Sequence, residues 1–225
     1  MAKAFVRRLK GVIFDLDGTL LDTLADLAGA MNGALRVLGY KEHPTSAYRR
    51  FVGDGVDVLA RRALPADCRD EETVGRCVEQ MRRVYAVDWA VHTKPYKGIA
   101  TTLDALAAAR VPTAVLSNKP HDMTVKIVEA LLGDWTFERV DGARAGIPKK
   151  PDPTGALATC RAMGLEPDEV AYVGDTDTDM KTAIAAGMYS VGALWGFREV
   201  QELRAAGART TIERPEDLLP LVISF

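Results

Sequence analysis

The hydrophobic and polar positions of the chain follow two different patterns, which meet near residue 92. Over residues 23–91, strand-like runs are scarce and apolar residues recur at helical spacing. This pattern predicts a helix that ends at Gly39, a short helix with Thr45 as its N-cap, and longer helices over residues 56–64 and 72–89. Residues 23–91 are therefore expected to form a helical domain.

The rest of the chain alternates between short apolar runs and helical periodicity. Strands are predicted over residues 12–14, 112–116, 137–140, 170–173 and 189–194. Helices are predicted over residues 99–109, 121–132, 154–163, 178–186 and 215–222. Because such alternation favours right-handed βαβ units, the fold class is α/β with a doubly wound, parallel, Rossmann-like sheet. Residues 1–22 and 92–225 form this core, and the helical domain is inserted in it.

Composition and charge narrow the choice of partners and compartment. The 225 residues suffice for one core domain with an insertion. With 29 basic and 31 acidic residues, the net charge of −2 gives no electrostatic reason to expect nucleic acid or an anionic membrane as a partner. The first eight residues lack the apolar core of a secretory signal, and the three cysteines lack metal or redox spacing. We therefore expect a cytoplasmic protein with reduced thiols.

An acidic motif follows the first predicted strand of the core. The sequence Asp15-Leu16-Asp17-Gly18-Thr19 places two carboxylates two residues apart, so both leave an extended segment on the same side. One acid can attack phosphorus while the other handles the proton, and a divalent cation would offset their repulsion. The motif therefore suits metal-assisted phosphoryl transfer. By itself, it is also compatible with a strand, a turn and two solvated carboxylates.

Polar groups recur at the ends of later predicted strands, where ligands of parallel α/β sheets bind. Ser117 and Asn118 follow one strand, the acid-rich turn 174–179 follows another, and Lys149 and Lys150 precede the sequence Pro151-Asp152-Pro153. In this order, the segments resemble the haloacid dehalogenase superfamily of phosphatases. The resemblance extends over about residues 11–221, almost the whole chain.

The resemblance implies a role for each acid. Asp15 would be the nucleophile that forms an aspartyl-phosphate, and its carboxylate would also bind Mg²⁺. Asp17 would protonate the leaving alcohol and then activate water, while its main-chain carbonyl binds the metal. Asp175 would bind the metal directly, and Asp179 would support the metal site through contacts with the residues that bind the ion. Mg²⁺ is the expected cofactor, since hard cations prefer oxygen ligands.

The resemblance also implies groups that bind the phosphate. Lys150 would offset the negative charge of the nucleophile and the phosphate, although the sequence does not exclude that Lys149 faces the site instead. The other groups offer small hydrogen-bonding side chains or main-chain amides, and they are Gly18, Thr19, Ser117 and Asn118.

The helical domain would be a cap that closes over the site and excludes water, the alternative being a passive subdomain. Its linkers would be Asp22-Thr23 and the stretch around Lys94-Pro95-Tyr96. The segment Gly53-Asp54-Gly55 resembles the substrate-specificity loop of phosphoglycolate phosphatases, although it could equally be a turn between helices. Residues 195–199 resemble the same subfamily and are expected to support the site.

The function implied is an Mg²⁺-dependent phosphatase for a small phosphorylated metabolite, with 2-phosphoglycolate favoured. The alternatives within the superfamily are another sugar-phosphate, pyridoxal-phosphate or nucleotide phosphatase, or a phosphoglucomutase. A regulatory binding protein on an inactive enzyme fold is a further alternative, against which the intact acids and Lys150 argue. The protein is expected to be a monomer or a homodimer.

Overall fold

A computed structural model describes residues 9–223. The first eight residues, for which the sequence argues against a secretory signal, lie outside this range, as do the last two. The strands are β1 Gly11–Phe14, β2 Leu21–Asp22, β3 Lys94–Pro95, β4 Thr113–Pro120, β5 Arg139–Ala143, β6 Val170–Gly174, β7 Tyr189–Ala193 and β8 Thr210–Ile212.

Helices fill the intervals between these strands. Four of them lie between β2 and β3: α1 Leu24–Val37, α2 Tyr48–Phe51, α3 Val56–Ala63 and α4 Glu71–Asp88. The others alternate with the later strands: α5 Ile99–Ala108, α6 His121–Leu132, α7 Thr154–Met163, α8 Asp177–Ala185, α9 Val200–Ala205 and α10 Leu219–Val222. Within residues 9–223, none of the helices combines the length and the apolar character needed to cross a bilayer.

Six strands form one parallel sheet in the order β5-β4-β1-β6-β7-β8. In the central strand β1, Ile13 belongs to the apolar cluster that includes Cys160 of α7. The neighbouring Phe14 belongs to the cluster on the other face, which includes Leu106 of α5. Because helices cover both faces, the central strands are continuous apolar runs. The predicted α/β class with a parallel, Rossmann-like sheet is confirmed.

The apolar residues of the helical segment between β2 and β3 belong to the same cluster as Phe14 and Leu106 of the core. Leu27, Met31 and Leu35 of α1 are buried, as their helical spacing predicted, and the sulfur atoms of Met31 and Cys77 lie 3.5 Å apart. Strands β2 and β3 pair antiparallel, with Leu21 opposite Pro95 and Asp22 opposite Lys94. The two places where the chain enters and leaves the helical segment are therefore joined to each other.

Several local predictions need correction. Thr45 is not the N-cap of the second helix: it begins a 3-10 turn whose own N-cap is Pro44, and the N-cap of α2 is Ala47. The strand predicted over residues 137–140 spans Arg139–Ala143. The predicted helix over residues 215–222 is a 3-10 turn followed by α10. The short elements α9 and β8 were not predicted.

Candidate active site

Three neighbouring strands carry acidic and polar groups to one edge of the sheet. Asp15 follows β1, Asp175 follows β6, and Ser117 lies in the carboxyl-terminal half of β4. Asp179, in the first turn of α8, reaches the same place, so that carboxylate oxygens of Asp15, Asp175 and Asp179 all lie within 4.8 Å of one another. All three acids are buried. The topology thus brings together acids that are 160 residues apart in sequence.

A single buried ammonium group lies against this acidic cluster. Nζ of Lys150 is 2.7 Å from Oδ1 of Asp15 and 2.7 Å from Oδ1 of Asp179, and it also donates to the carbonyl of Leu116 at 3.1 Å. Lys149 points elsewhere and pairs with Asp57 of α3 at 2.9 Å. Of the two lysines that the sequence left open, Lys150 is therefore the one that faces the acids.

The charges of the cluster are unbalanced, because three buried carboxylates share one ammonium. Burial, together with the neighbouring Asp179, raises the pKa of Asp15 to about 7. Burial and the same neighbour raise the pKa of Asp175 above its ordinary value. Burial alone would lower the pKa of Lys150, but the attraction of Asp15 and Asp179 outweighs it and raises that pKa. A hard divalent cation fits this set of oxygen donors and would offset the excess negative charge.

Asp175 is held on both oxygens by the surrounding loops. The Thr19 hydroxyl donates to Oδ1 at 2.9 Å, and the main-chain amide of Phe197 donates to Oδ2 at 2.7 Å. Gly18 packs against the same carboxylate with a φ of +89°, and a Cβ at this position would overlap Oδ2. Gly18 and Thr19 therefore contact Asp175 directly, and their expected contact with phosphate stays a prediction.

We expect Gly18→Ala to weaken metal binding by about 10- to 100-fold, as changes beside a metal ligand commonly do. The added methyl group would displace the Asp175 carboxylate, and the positive φ would be strained. Activity measured against Mg²⁺ concentration checks this. Gly39→Ala is the matched control, because Gly39 also has a positive φ of +79° but its Cβ would meet open space among the described residues. Equal metal requirements in both variants would contradict the role given to Gly18.

Asp17 is bound by a residue that the sequence reasoning missed. Nζ of Lys119 lies 2.8 and 2.9 Å from the two carboxylate oxygens of Asp17. Lys119 is buried; burial alone would lower its pKa, but attraction to Asp17 outweighs this and raises it. The available signal was a lysine that directly follows Ser117-Asn118, in a strand that continues beyond the predicted end at residue 116.

Asn118 connects the lysine segment to the helical segment. Its side-chain oxygen accepts from the amide of Lys150 at 2.9 Å, and its Nδ2 donates to the carbonyls of Lys150 and Gly53 at 3.0 and 3.2 Å. The hydroxyl of Ser117 accepts from the amide of Lys119 at 3.2 Å. The side chain of Asn118 thus orients Lys150, and the expected donation from Ser117 and the Asn118 amide to phosphate stays a prediction.

A cavity of about 380 Å³ opens between the strand ends and the helical segment. Its floor includes Asp15, Asp17, Ser117 and Asn118 of the core. The opposite wall comes from the helical segment and is largely apolar; it includes Leu27, Val52, Gly53, Gly55, Val56, Leu59, Met81 and Tyr85. Asp15 and Asp17 therefore face a cavity of the size of small-molecule sites.

The glycines of the predicted specificity loop and the acid between them have different positions. Gly53 and Gly55 line the cavity with φ of +129° and +91°. The carboxylate of Asp54 instead accepts from Arg62 at 2.5 Å and from the hydroxyl of Thr178 in α8. Asp54 was predicted to bind substrate, but the structure places its carboxylate in a bond between the helical segment and the core.

The loop over residues 195–199 touches both the acidic cluster and the helical segment. Trp195 donates from Nε1 to the carbonyl of Thr19 at 2.9 Å. Arg198 donates to the carbonyls of Arg49 and Val52, the second at 3.0 Å. This placement fits the supporting role that the sequence predicted for the loop.

Comparisons with known proteins place the chain in a family. The profile of the haloacid dehalogenase-like hydrolase family matches residues 12–193. A phosphoglycolate phosphatase of Aquifex aeolicus is 35% identical over 214 residues, which are 95% of this chain and 97% of the relative. A phosphoglycolate phosphatase of Chromobacterium violaceum is 32% identical over 221 residues, which are 96% of this chain and 98% of the relative.

The fold comparison points the same way. A crystal structure of a predicted phosphoglycolate phosphatase from Haemophilus somnus superposes with a TM-score of 0.87 at 28% identity, covering 94% of this chain and 97% of that one. The chain therefore belongs to the haloacid dehalogenase-like hydrolases. Within that family it is similar to the phosphoglycolate phosphatases, and the resemblance and the hydrolase class predicted from the sequence are confirmed.

Proposed function

We propose that this protein is an Mg²⁺-dependent phosphatase that hydrolyses a small phosphate monoester, with 2-phosphoglycolate as the favoured substrate. The observation that carries the proposal is the buried cluster of Asp15, Asp175 and Asp179, with Lys150 against it and Asp17 at the floor of the same cavity. The names of the relatives support the choice of substrate.

The two acids of the first motif divide the chemistry. A carboxylate oxygen of Asp15 attacks phosphorus, the bond between phosphorus and the ester oxygen breaks, and Asp17 gives its proton to the departing alkoxide. This leaves a phosphate group on Asp15 and an ionised Asp17. Asp17 then takes a proton from the water that attacks the same phosphorus, which releases inorganic phosphate and restores both acids.

The neighbouring groups would offset the negative charge of the phosphate and hold it in position. Lys150 touches the attacking carboxylate and would offset the negative charge that gathers on the phosphate oxygens. Asp15, Asp175 and the main-chain carbonyl of Asp17 would hold Mg²⁺, and Asp179 would support these groups from the first turn of α8. When bound, the cation supplies charge neutralisation and orients the phosphate.

We also propose that residues 23–91 act as a cap over a core of residues 1–22 and 92–225. Supporting contacts cross between the two at the cavity rim, among them Asn118 with Gly53 and Lys149 with Asp57. A cap of this kind would exclude water from the phosphate during reaction. A passive helical subdomain is the alternative, and the variant of Gly55 described below separates the two.

A larger phosphate ester is the second candidate substrate. The cavity of about 380 Å³ exceeds what a two-carbon leaving group requires, and its apolar wall would suit a bulkier group such as a sugar or pyridoxal. A phosphoglucomutase would share the first chemical step and differ in passing the phosphate to a sugar hydroxyl.

The deciding experiment is a kcat/KM series with the purified protein, Mg²⁺ and a panel of phosphate esters. The panel contains 2-phosphoglycolate, ethyl phosphate, hexose phosphates, pyridoxal phosphate and nucleoside monophosphates, and both inorganic phosphate and phosphosugar isomers are measured. We expect the highest kcat/KM for 2-phosphoglycolate. A higher value for a larger ester would move the assignment to the second candidate, and sugar isomers without phosphate release would indicate a mutase.

A cytoplasmic location and a monomeric or homodimeric state stay predictions.

We expect Gly55→Val to lower kcat/KM for 2-phosphoglycolate at least tenfold while much of the slow hydrolysis of p-nitrophenyl phosphate remains. A Cβ on Gly55 would lie 3.2 Å from Nζ of Lys149 and 3.4 Å from the carbonyl of Asn118, at a φ that branched residues avoid. The artificial ester has a good leaving group and needs less help from the cap. Gly164→Val is the control for strain alone, since Gly164 has a φ of +66° beside open space within the described part of the chain. Equal losses on both substrates would indicate a merely structural turn.

A further inference from the structure

We propose that Lys119 and Tyr85 form a subsite for an anionic group on the leaving alcohol of the substrate, which in 2-phosphoglycolate is the carboxylate. The inference rests on the proposed phosphatase function and deepens it, because it assigns residues to the part of the substrate that does not react. The two residues come from opposite sides of the cavity: Lys119 from β4 of the core and Tyr85 from α4 of the helical segment.

The first observation is the position of the Lys119 ammonium group. Among the described residues that line the cavity, Lys119 and Arg82 are the cationic ones, and Lys119 is the buried one. An ammonium has three N–H donors, and the two oxygens of Asp17 accept from it at 2.8 and 2.9 Å. Asp17 therefore does not use the third donor, which is available on the side of the cavity where Tyr85 lies.

The second observation is the hydroxyl group of Tyr85. The residue is only 6% exposed, and its hydroxyl oxygen has no hydrogen-bond partner within residues 9–223. A buried hydroxyl without a partner is unfavourable and rare, so it needs an explanation. The Tyr85 ring lies beside the ammonium, with 4.8 Å between its centroid and Nζ of Lys119. The Tyr85 hydroxyl and the Lys119 ammonium group thus border the same part of the cavity, where they can bind the two oxygens of a carboxylate.

The shape of 2-phosphoglycolate fits the arrangement of these groups. Its ester oxygen is separated from the carboxylate carbon by one methylene group. If Lys119 binds the carboxylate while it holds Asp17, the ester oxygen is brought next to the acid that must protonate it. A longer chain between the two anionic groups would lose this alignment.

The surrounding charges set how selective the subsite can be. Asp15, Asp17 and Asp122 also line the cavity and would repel a substrate anion. Such an anion can therefore bind only where a cation faces it. Arg82 lines the same wall as Tyr85 and adds positive charge at its exposed edge. The subsite therefore favours one compact anion beside Lys119.

The test compares 2-phosphoglycolate with ethyl phosphate, which has the same chain length and a methyl group in place of the carboxylate. We expect Tyr85→Phe to lower kcat/KM for 2-phosphoglycolate about tenfold or more, mainly through KM, because a hydrogen bond to a charged group is lost. Ethyl phosphate should change by less than about twofold, because it has no group for the hydroxyl to bind. The control is Tyr189→Phe, which removes a hydroxyl that bonds Thr210 at 2.8 Å, outside the cavity.

Lys119→Met should bring the kcat/KM values of the two substrates close together. Because Lys119 also holds Asp17, this variant is expected to slow both substrates, and the ratio between them is the measurement that counts. Lys119→Arg should restore part of the ratio, since it keeps a cationic donor. Equal losses on both substrates in Tyr85→Phe, or an unchanged ratio in Lys119→Met, would overturn the subsite.

A binding measurement separates this inference from the proposed function. Calorimetric titration of Asp15→Asn with 2-phosphoglycolate and with ethyl phosphate, repeated with Tyr85→Phe added, reports the subsite without turnover. If the unchanged protein hydrolyses neither ester, the proposed function fails, and the titration still decides the subsite. If both esters are hydrolysed but Tyr85→Phe leaves the binding of 2-phosphoglycolate unchanged, the subsite fails and the phosphatase stands.

Discussion

Replacement of Asp15 by Asn is expected to lower kcat by about four orders of magnitude or more, because the attacking carboxylate is lost. The side chain keeps its shape, and Lys150 keeps its contacts with Asp179 and the Leu116 carbonyl, so the fold should survive. Steady-state kinetics with 2-phosphoglycolate check the loss of kcat, and circular dichroism checks that the fold is kept. Near-normal hydrolysis in this variant would contradict a covalent intermediate on Asp15.

The same variant should be at least as stable as the original protein in the absence of metal above pH 7. The pKa of Asp15 is about 7 in the folded protein, against an ordinary value of 3.8. A raised pKa means that the folded state binds the proton more tightly, so stability falls as the pH rises from about 4 to 7. Because Asn does not ionise, the variant should not lose this stability. Asp177→Asn is the matched control, since Asp177 starts the same helix as Asp179 but pairs with Lys181 at the surface.

Removal of the metal is expected to abolish activity as completely as the loss of Asp15. Mg²⁺ should restore it, whereas Ca²⁺ should do so poorly, because its looser and higher coordination would misplace Asp15 relative to phosphorus. Mg²⁺ should also raise the Tm, since it binds the crowded carboxylates of the folded state alone. Asp175→Asn should need far more Mg²⁺ for both effects. Full activity after exhaustive chelation would rule out the proposed metal site.

Much of the core and of the acidic cluster could be predicted because short-range pattern and topology determine them. Buried parallel strands are continuous apolar runs, and their carboxyl ends meet at one edge, so the convergence of Asp15, Ser117 and Asp175 followed from the order of elements. Whether Lys149 or Lys150 faces the acids depends on the direction in which each side chain leaves the backbone. Spacing along the sequence does not determine that direction.

The features that escaped prediction depend on contacts between distant segments. The buried ammonium group of Lys119 is compensated by Asp17, 102 residues earlier, which accepts two hydrogen bonds from it. Asp54 is drawn out of its expected place by Arg62 and Thr178. Strands β2 and β3 have two residues each, too few for any periodicity, and are stabilised by pairing with one another across the helical segment.

The pairing of β2 with β3 also brings the two ends of the helical segment together. Asp22 and Lys94 lie opposite each other in an antiparallel pair, which is the geometry on either side of a β-hairpin turn. A two-residue Asn-Gly turn could therefore replace residues 23–93 without moving either strand. A chain of another length or architecture could be inserted at the same point, so this short ladder marks the place at which the helical segment could be exchanged by design.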